Sequence, residues 1–152
     1  MDPVCEAYLY AASRAQALRT VVKPVLENGG IVIADRSFIT SLAFQGYGRD
    51  AGIRTTLKIN KSAIESIIPD LVIFLDLDPN LSIKRTFDKN RDKWERMGAE
   101  FFYKVRKGYL KISKMKMFKN KWLNVKVTDA PIEQNFDLIL KALKPYLKKF
   151  NL

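Results

Sequence analysis

The sequence predicts an α/β fold built on a parallel sheet, and two observations carry that prediction. Three short apolar, β-branched runs (residues 31–34, 71–76 and 124–128) have the length and composition of sheet-core strands. Longer stretches with helical spacing separate them, and strands alternating with helices imply parallel pairing through right-handed crossovers.

Asp2-Pro3 reads as a helix start, a capping carboxylate followed by a first-turn proline. Val4, Ala7, Tyr8, Ala11, Ala15, Leu18, Val22 and Val25 then recur at helical spacing. Pro24 is expected to kink this helix and Asn28-Gly29-Gly30 to end it. The run Ile31-Val32-Ile33-Ala34 reads as a buried parallel strand, followed by an Asp-Arg loop and a short helix to about Tyr47. Residues 57–68 read as another helix, and Leu71 to Asp76 as a second buried strand. Asp78-Pro79 opens a helix running toward residues 88–97. A long helix over about 99–118 carries Phe101, Phe102, Val105, Tyr109 and Ile112 on one face. After the third strand, Asp129-Ala130-Pro131 starts a closing helix with Phe136, Ile139, Leu140, Leu143 and Leu147.

At 152 residues the chain has the length of one domain. A hydrophobic fraction of 47% with 28% charged residues is a globular composition, which argues against wholesale disorder. One Cys and no His exclude an internal disulfide, zinc sites and Ser-His or Cys-His nucleophiles. Any proton transfer would therefore fall to carboxylates, Lys or Tyr. No apolar run reaches transmembrane length and no signal pattern opens the chain, so a cytoplasmic location is the expectation. The formal net charge of +11 is concentrated: residues 81–126 hold 15 Lys/Arg against 4 Asp/Glu, and the remainder is balanced. That segment is either a positive field over an anionic substrate or a lysine-rich solvated helix face.

Residues 35–49, Asp35-Arg36-Ser37-Phe38-Ile39-Thr40-Ser41-Leu42-Ala43-Phe44-Gln45-Gly46-Tyr47-Gly48-Arg49, are the most informative stretch. An Asp-Arg pair just past a predicted strand lies where open α/β sheets bind ligands. The arginine offers a planar, permanent charge suited to phosphate, and the aspartate can orient that fork or a metal-bound water. This stretch resembles the D-R-x…S-x-A-[YF]-Q-G segment of thymidylate kinases, which pass the terminal phosphoryl group of ATP to dTMP. Glu6-Ala7-Tyr8-Leu9-Tyr10-Ala11-Ala12-Ser13-Arg14 is similar to that family's E-x-L-[FY]-x-A-x-R helix. Pro69-Asp70-Leu71 through Leu75-Asp76-Leu77-Asp78-Pro79 resembles its P-D-L-x-x-x-L-D-x-x-P strand. Arg91-Asp92-Lys93-Trp94-Glu95 falls at its lid motif, and Phe101-Phe102 through Tyr109 at the aromatic helix after it.

The resemblance implies a P-loop kinase-like parallel sheet with helices on both faces, forming one domain over residues 1–152 with a lid at about 88–97. It also implies dTMP as substrate, with ATP and Mg²⁺ as the phosphoryl donor and its metal. The family's glycine-rich G-x-x-x-x-G-K-[ST] loop is not found in these residues: no glycine precedes Gly29 and no G-K-[ST] occurs. The expectation is a kinase domain lacking its first strand and helix. In the family's sheet the loop's strand lies between those matching 31–34 and 71–76, so two strand edges are expected to need cover, a homodimer or an N-terminal partner segment.

Site residues follow from the motifs. By resemblance, Arg14 hydrogen-bonds the thymine ring and Tyr10, one turn earlier, stacks on it. The alternatives are a surface ion pair for Arg14 and a core position for Tyr10. Asp35 and Arg36 are assigned to phosphate, and Ser41, Phe44 and Gln45 to the base and sugar. Phe44 keeps the ring that crowds a ribose 2′ position but lacks the hydroxyl common in the family. Phe38 and Leu42 are expected in the core. Arg91, Lys93 and Arg96 are the lid cations facing the transferred phosphoryl group. Lys93 stands where the family often has Arg and lacks its bidentate fork, so either neighbouring arginine can substitute. Asp76 and Asp78 read either as a metal-binding pair or, with more weight, as a strand end and a helix cap.

Three functions remain in play. The first is a thymidylate-type kinase, and the second a non-catalytic dTMP-binding or interaction module. The third, ranked last, is a basic nucleic-acid binder suggested by a pI near 9.8; the chain shows no base-stacking platform or helix-turn-helix signature.

Overall fold

The computed structural model describes residues 1–85 and 97–149. The described chain divides into two compact units, residues 1–68 with 104–114, and residues 69–103 with 115–152.

The first unit is helical. Helix α1 (Pro3–Ala17) opens as the sequence predicts: Asp2 Oδ1 accepts from the backbone N–H groups of Val4 and Cys5 at 2.8 and 3.1 Å. It runs on through a π-helical turn, Leu18–Val22, into α2 (Lys23–Glu27). The wider turn falls just before Pro24, which has no N–H for the carbonyl one α-turn back, and Lys23 donates to Leu18 instead. Asn28-Gly29 ends the helix, with Gly29 at φ +75°.

Helix α3 (Phe38–Ser41) is capped by Ser37, whose hydroxyl accepts from Ile39 N–H, and it continues as a seven-residue π-helix, Leu42–Gly48. Phe38 and Leu42 are buried as expected. Helix α4 (Ile53–Ile64) starts about four residues earlier than predicted, because Gly52 at φ +86° turns the chain there. A Cβ on Gly46 would lie 3.0 Å from Thr56 Oγ1, so glycine permits the close contact between the π-helix and α4.

Residues 31–34 do not form the predicted strand. They have no regular secondary structure and pair with no strand among the described residues, and Ile33 is 94% exposed. Apolar β-branched composition favours an extended backbone, yet a strand also needs a neighbour for its N–H and C=O groups.

The second unit holds the sheet. Strands β1 (Val72–Asp76) and β2 (Trp122–Lys126) pair in parallel, Val72 opposite Trp122 and Asp76 opposite Lys126. The parallel prediction holds, with β2 two residues earlier than expected. β1 was read as buried on both sides, but Ile73 and Leu75 are exposed while Phe74 packs near Trp122 and Asp76 is buried. Among the described residues, one face of this strand is uncovered. Asp78 caps α5 (Pro79–Arg85), its Oδ1 accepting from Asn80 N–H at 2.8 Å. Helix α6 (Gly98–Ile112) ends six residues before the predicted boundary, a short 3₁₀ turn, Lys116–Phe118, taking up the rest. Helix α7 (Ile132–Lys149) closes the chain, with Asn135 bonding Thr128 and Ala130 across its first turn.

Candidate functional site

The predicted substrate residues lie in the first unit, on α1 and on the segment 35–48, and α4 packs against them. Arg14 lies one turn beyond Tyr10 on the same face of α1. Its Nη1 donates to Asn60 Oδ1 on α4, and its Nη2 to Ser41 Oγ at 3.2 Å and to the Ser37 carbonyl at 3.3 Å. These acceptors are an amide, a hydroxyl and a carbonyl, all neutral. Among the described residues no carboxylate pairs with Arg14. Burial pushes its pKa below the ordinary guanidinium range, though arginine stays protonated in proteins. A partly buried cation with only neutral acceptors is held in place without being neutralised. Tyr10 is exposed beside it rather than packed in the core.

The second cation is Arg36. Asp35 and Arg36 are both exposed on the turn after residues 31–34, with Arg36 in the left-handed region at φ +66°. The Arg36 guanidinium carbon stands 5.7 Å from the centre of the Phe44 ring, a cation–π distance. Phe44 itself is buried. From α6, Tyr109 donates its hydroxyl to Thr40 Oγ1 at 3.1 Å. Its pKa is raised by burial, against the opposing effects of that hydrogen bond and of the Arg36 charge. The segment from Ser37 to Phe44 thus carries partners of both arginines.

Gln45 faces inward. It is almost fully buried and donates from Nε2 to Glu6 Oε2 at 3.0 Å. The same carboxylate oxygen accepts from Arg49 Nη1 at 2.8 Å, and Arg49 Nη2 donates to the Met1 carbonyl at 2.7 Å. This network ties the start of α1 to the π-helix beneath Ser41 and Phe44.

Sequence reasoning gave no role to Glu6, Thr40, Arg49, Asn60 or Tyr109. Glu6 and Tyr109 stand at the ends of stretches that resemble the family's, and Glu6 is buried together with Ala7 and Ala11. Asp76 and Asp78 lie in the second unit, where Asp78 caps α5 and accepts from Tyr103 Oη at 3.2 Å. Arg91, Lys93 and Arg96 lie outside the described residues. Among the described residues no group of three acidic or metal-ligating side chains stands together, and no G-x-x-x-x-G-K-[ST] occurs in the 152 residues.

Residues 1–139 match the sequence model of the thymidylate kinase family. The chain belongs to the thymidylate kinase family. A thymidylate kinase of Lactobacillus acidophilus is 38% identical over 98% of this chain and 69% of its own length. Those of Ligilactobacillus salivarius and Bacillus licheniformis are 35% and 39% identical, over 99% and 98% of this chain and 70% and 68% of theirs. Membership makes the fold that of the P-loop kinases, in keeping with the helices and parallel strand pair described above, and it makes the family chemistry phosphoryl transfer. No helix among the described residues is long and apolar enough to cross a membrane.

Proposed function

We propose that residues 1–152 form the dTMP-binding part of a thymidylate kinase domain and, by themselves, bind dTMP without transferring phosphate to it. The observation that carries this reading is Arg14, a partly buried guanidinium oriented by three neutral acceptors, with Tyr10 exposed one turn away. A fixed donor fork suits a pyrimidine carbonyl, and an exposed ring suits stacking on the base. Arg36, braced against Phe44, serves the 5′-phosphate with Asp35 orienting it. Ser41 and Phe44 line the base and sugar, while Gln45 supports them from below through Glu6.

Phosphoryl transfer additionally needs backbone amides and a lysine around the β- and γ-phosphates. These 152 residues supply neither motif, so ATP and Mg²⁺ binding depend on a glycine–lysine loop contributed with them. Arg91, Lys93 and Arg96 would then face the moving phosphoryl group as lid cations. Exposed Ile31 and Ile33, and the open face of β1 at Ile73 and Leu75, support an added N-terminal segment or a second copy as cover. The setting is cytoplasmic, where the monophosphate and ATP are found together.

The test is a coupled assay of purified residues 1–152 with ATP, Mg²⁺ and dTMP. We expect no turnover, and partial rescue when a segment bearing the loop is fused or supplied in trans. Turnover by 1–152 alone, with contaminating kinase excluded, would overturn the proposal.

A further inference from the structure

Asn60 is fully buried at the centre of α4, and both ends of its amide are engaged. Its Nδ2 donates to the Thr56 carbonyl one turn back at 2.8 Å, and its Oδ1 accepts from Arg14 Nη1. The first bond fixes the second. Were the amide flipped, its NH₂ would face the guanidinium, donor against donor, and its oxygen would face a carbonyl. Thr56 is locked in turn, since its hydroxyl donates to the Gly52 carbonyl at 3.0 Å and it packs against Gly46. The column Gly52, Thr56, Asn60 therefore presents one oxygen to Arg14 in one orientation.

The residue type matters as much as the position. An aspartate there would pair with Arg14 as a salt bridge and offset its charge. Asparagine orients the fork and leaves the charge undiminished for a ligand. Ser41 and the Ser37 carbonyl hold the other nitrogen, Ser41 as the last residue of the short α3 and Ser37 as its cap.

We infer that Asn60 is the positioning residue for Arg14, and that through the direction it imposes on the guanidinium it sets the preference for thymine over cytosine. The inference rests on the reading of Arg14 as the base-contacting residue. Asn60 touches no substrate atom in this account. It acts by removing the rotamers in which Arg14 would offer its donors elsewhere, so the fork meets a pyrimidine carbonyl at no further ordering cost.

The experiment uses Asn60→Leu, Asn60→Asp, Arg14→Ala and the Arg14→Ala/Asn60→Leu double variant of the whole chain. Two quantities are read: the ¹⁵N–¹H guanidinium signals of Arg14 without ligand, and the calorimetric Kd for dTMP and dCMP. In the wild type the Arg14 Nη signals should be resolved and slow to exchange. Asn60→Leu should collapse them, weaken dTMP about 10- to 100-fold and shrink the dTMP-to-dCMP preference, the range expected for one hydrogen bond to a charged group. Asn60→Asp keeps an oxygen toward Arg14 and should retain the signals and the preference, while the salt bridge it forms offsets the Arg14 charge and weakens the binding of both nucleotides. The double variant should bind no more weakly than Arg14→Ala alone.

A purely structural role for Asn60 would lower stability and leave the preference of the folded protein unchanged, and that result would overturn the inference. So would Arg14 signals unaltered by Asn60→Leu, or, if the leucine variant does not fold, a folded Asn60→Asp without preference. Wild-type affinity in Arg14→Ala would instead remove the base reading itself, and this inference with it. Loss in Arg14→Ala beside unchanged binding in Asn60→Leu would remove only the role of Asn60.

Discussion

Replacing Glu6 by alanine should cost about 3 kcal/mol of stability. The side chain is 6% exposed and its Oε2 accepts from both Gln45 Nε2 and Arg49 Nη1. Removing one partner of a buried ion pair costs about 3–5 kcal/mol, because the remaining charge is left uncompensated. Arg49 is 17% exposed and keeps its bond to the Met1 carbonyl, so the effect belongs at the lower end of that range. The buried Gln45 amide loses its acceptor as well, which prevents the cost from falling much further. For a chain of this length, about 3 kcal/mol corresponds to a fall in Tm of about 6–12 °C. Urea denaturation of wild type, Glu6→Ala, Arg49→Met and the double variant gives the coupling directly. The double variant should be more stable than additivity predicts, by more than about 1 kcal/mol. A Glu6→Ala chain within about 1 kcal/mol of wild type, or additive losses, would refute the network as described.

Gly108→Ala should destabilise by about 1–3 kcal/mol despite alanine's better helix propensity, since the new Cβ would lie 2.9 Å from Tyr47 Cβ; an unchanged urea midpoint would contradict this. Tyr109 holds its proton above the ordinary value of 10.0, so the stability it contributes is present below that pH and lost as pH rises through its higher folded value. A phenolate titration followed near 295 nm should accordingly lose a late-ionising component in Tyr109→Phe, and an unaltered curve would count against the burial of this group. The basic stretch should bind DNA only weakly, with fluorescence anisotropy returning to baseline by moderate salt; a sequence-specific complex persisting at physiological salt would favour the nucleic-acid reading instead.

Much of the fold was legible in local chemistry. Asp2-Pro3, Asn28-Gly29 and Asp78-Pro79 act where they were expected to, because caps and breakers are decided by a residue and its near neighbours. Residues 31–34 failed for the opposite reason: composition encodes a wish to be extended and covered, whereas pairing depends on a strand elsewhere. The site was legible where a motif names a residue type, as for Arg14 and Arg36. What those motifs could not convey was the support around them. Asn60 and Thr56 look like ordinary polar residues of an amphipathic helix until α1 and α4 are brought together. Gln45 and Arg49 meet Glu6 across roughly forty residues of chain, a separation that no periodicity marks. Tyr109 shares the spacing of the apolar residues on α6, and its hydroxyl partner Thr40 lies far away in sequence.

Isothermal titration of dTMP into residues 1–152, wild type and Arg14→Ala, addresses the central claim most directly. The account predicts one dTMP bound per chain by the wild type, dCMP bound more weakly, and a loss of at least about tenfold for dTMP in Arg14→Ala, as for a hydrogen bond to a charged group. Equal dTMP affinities for the two proteins, each shown to be folded, would contradict it.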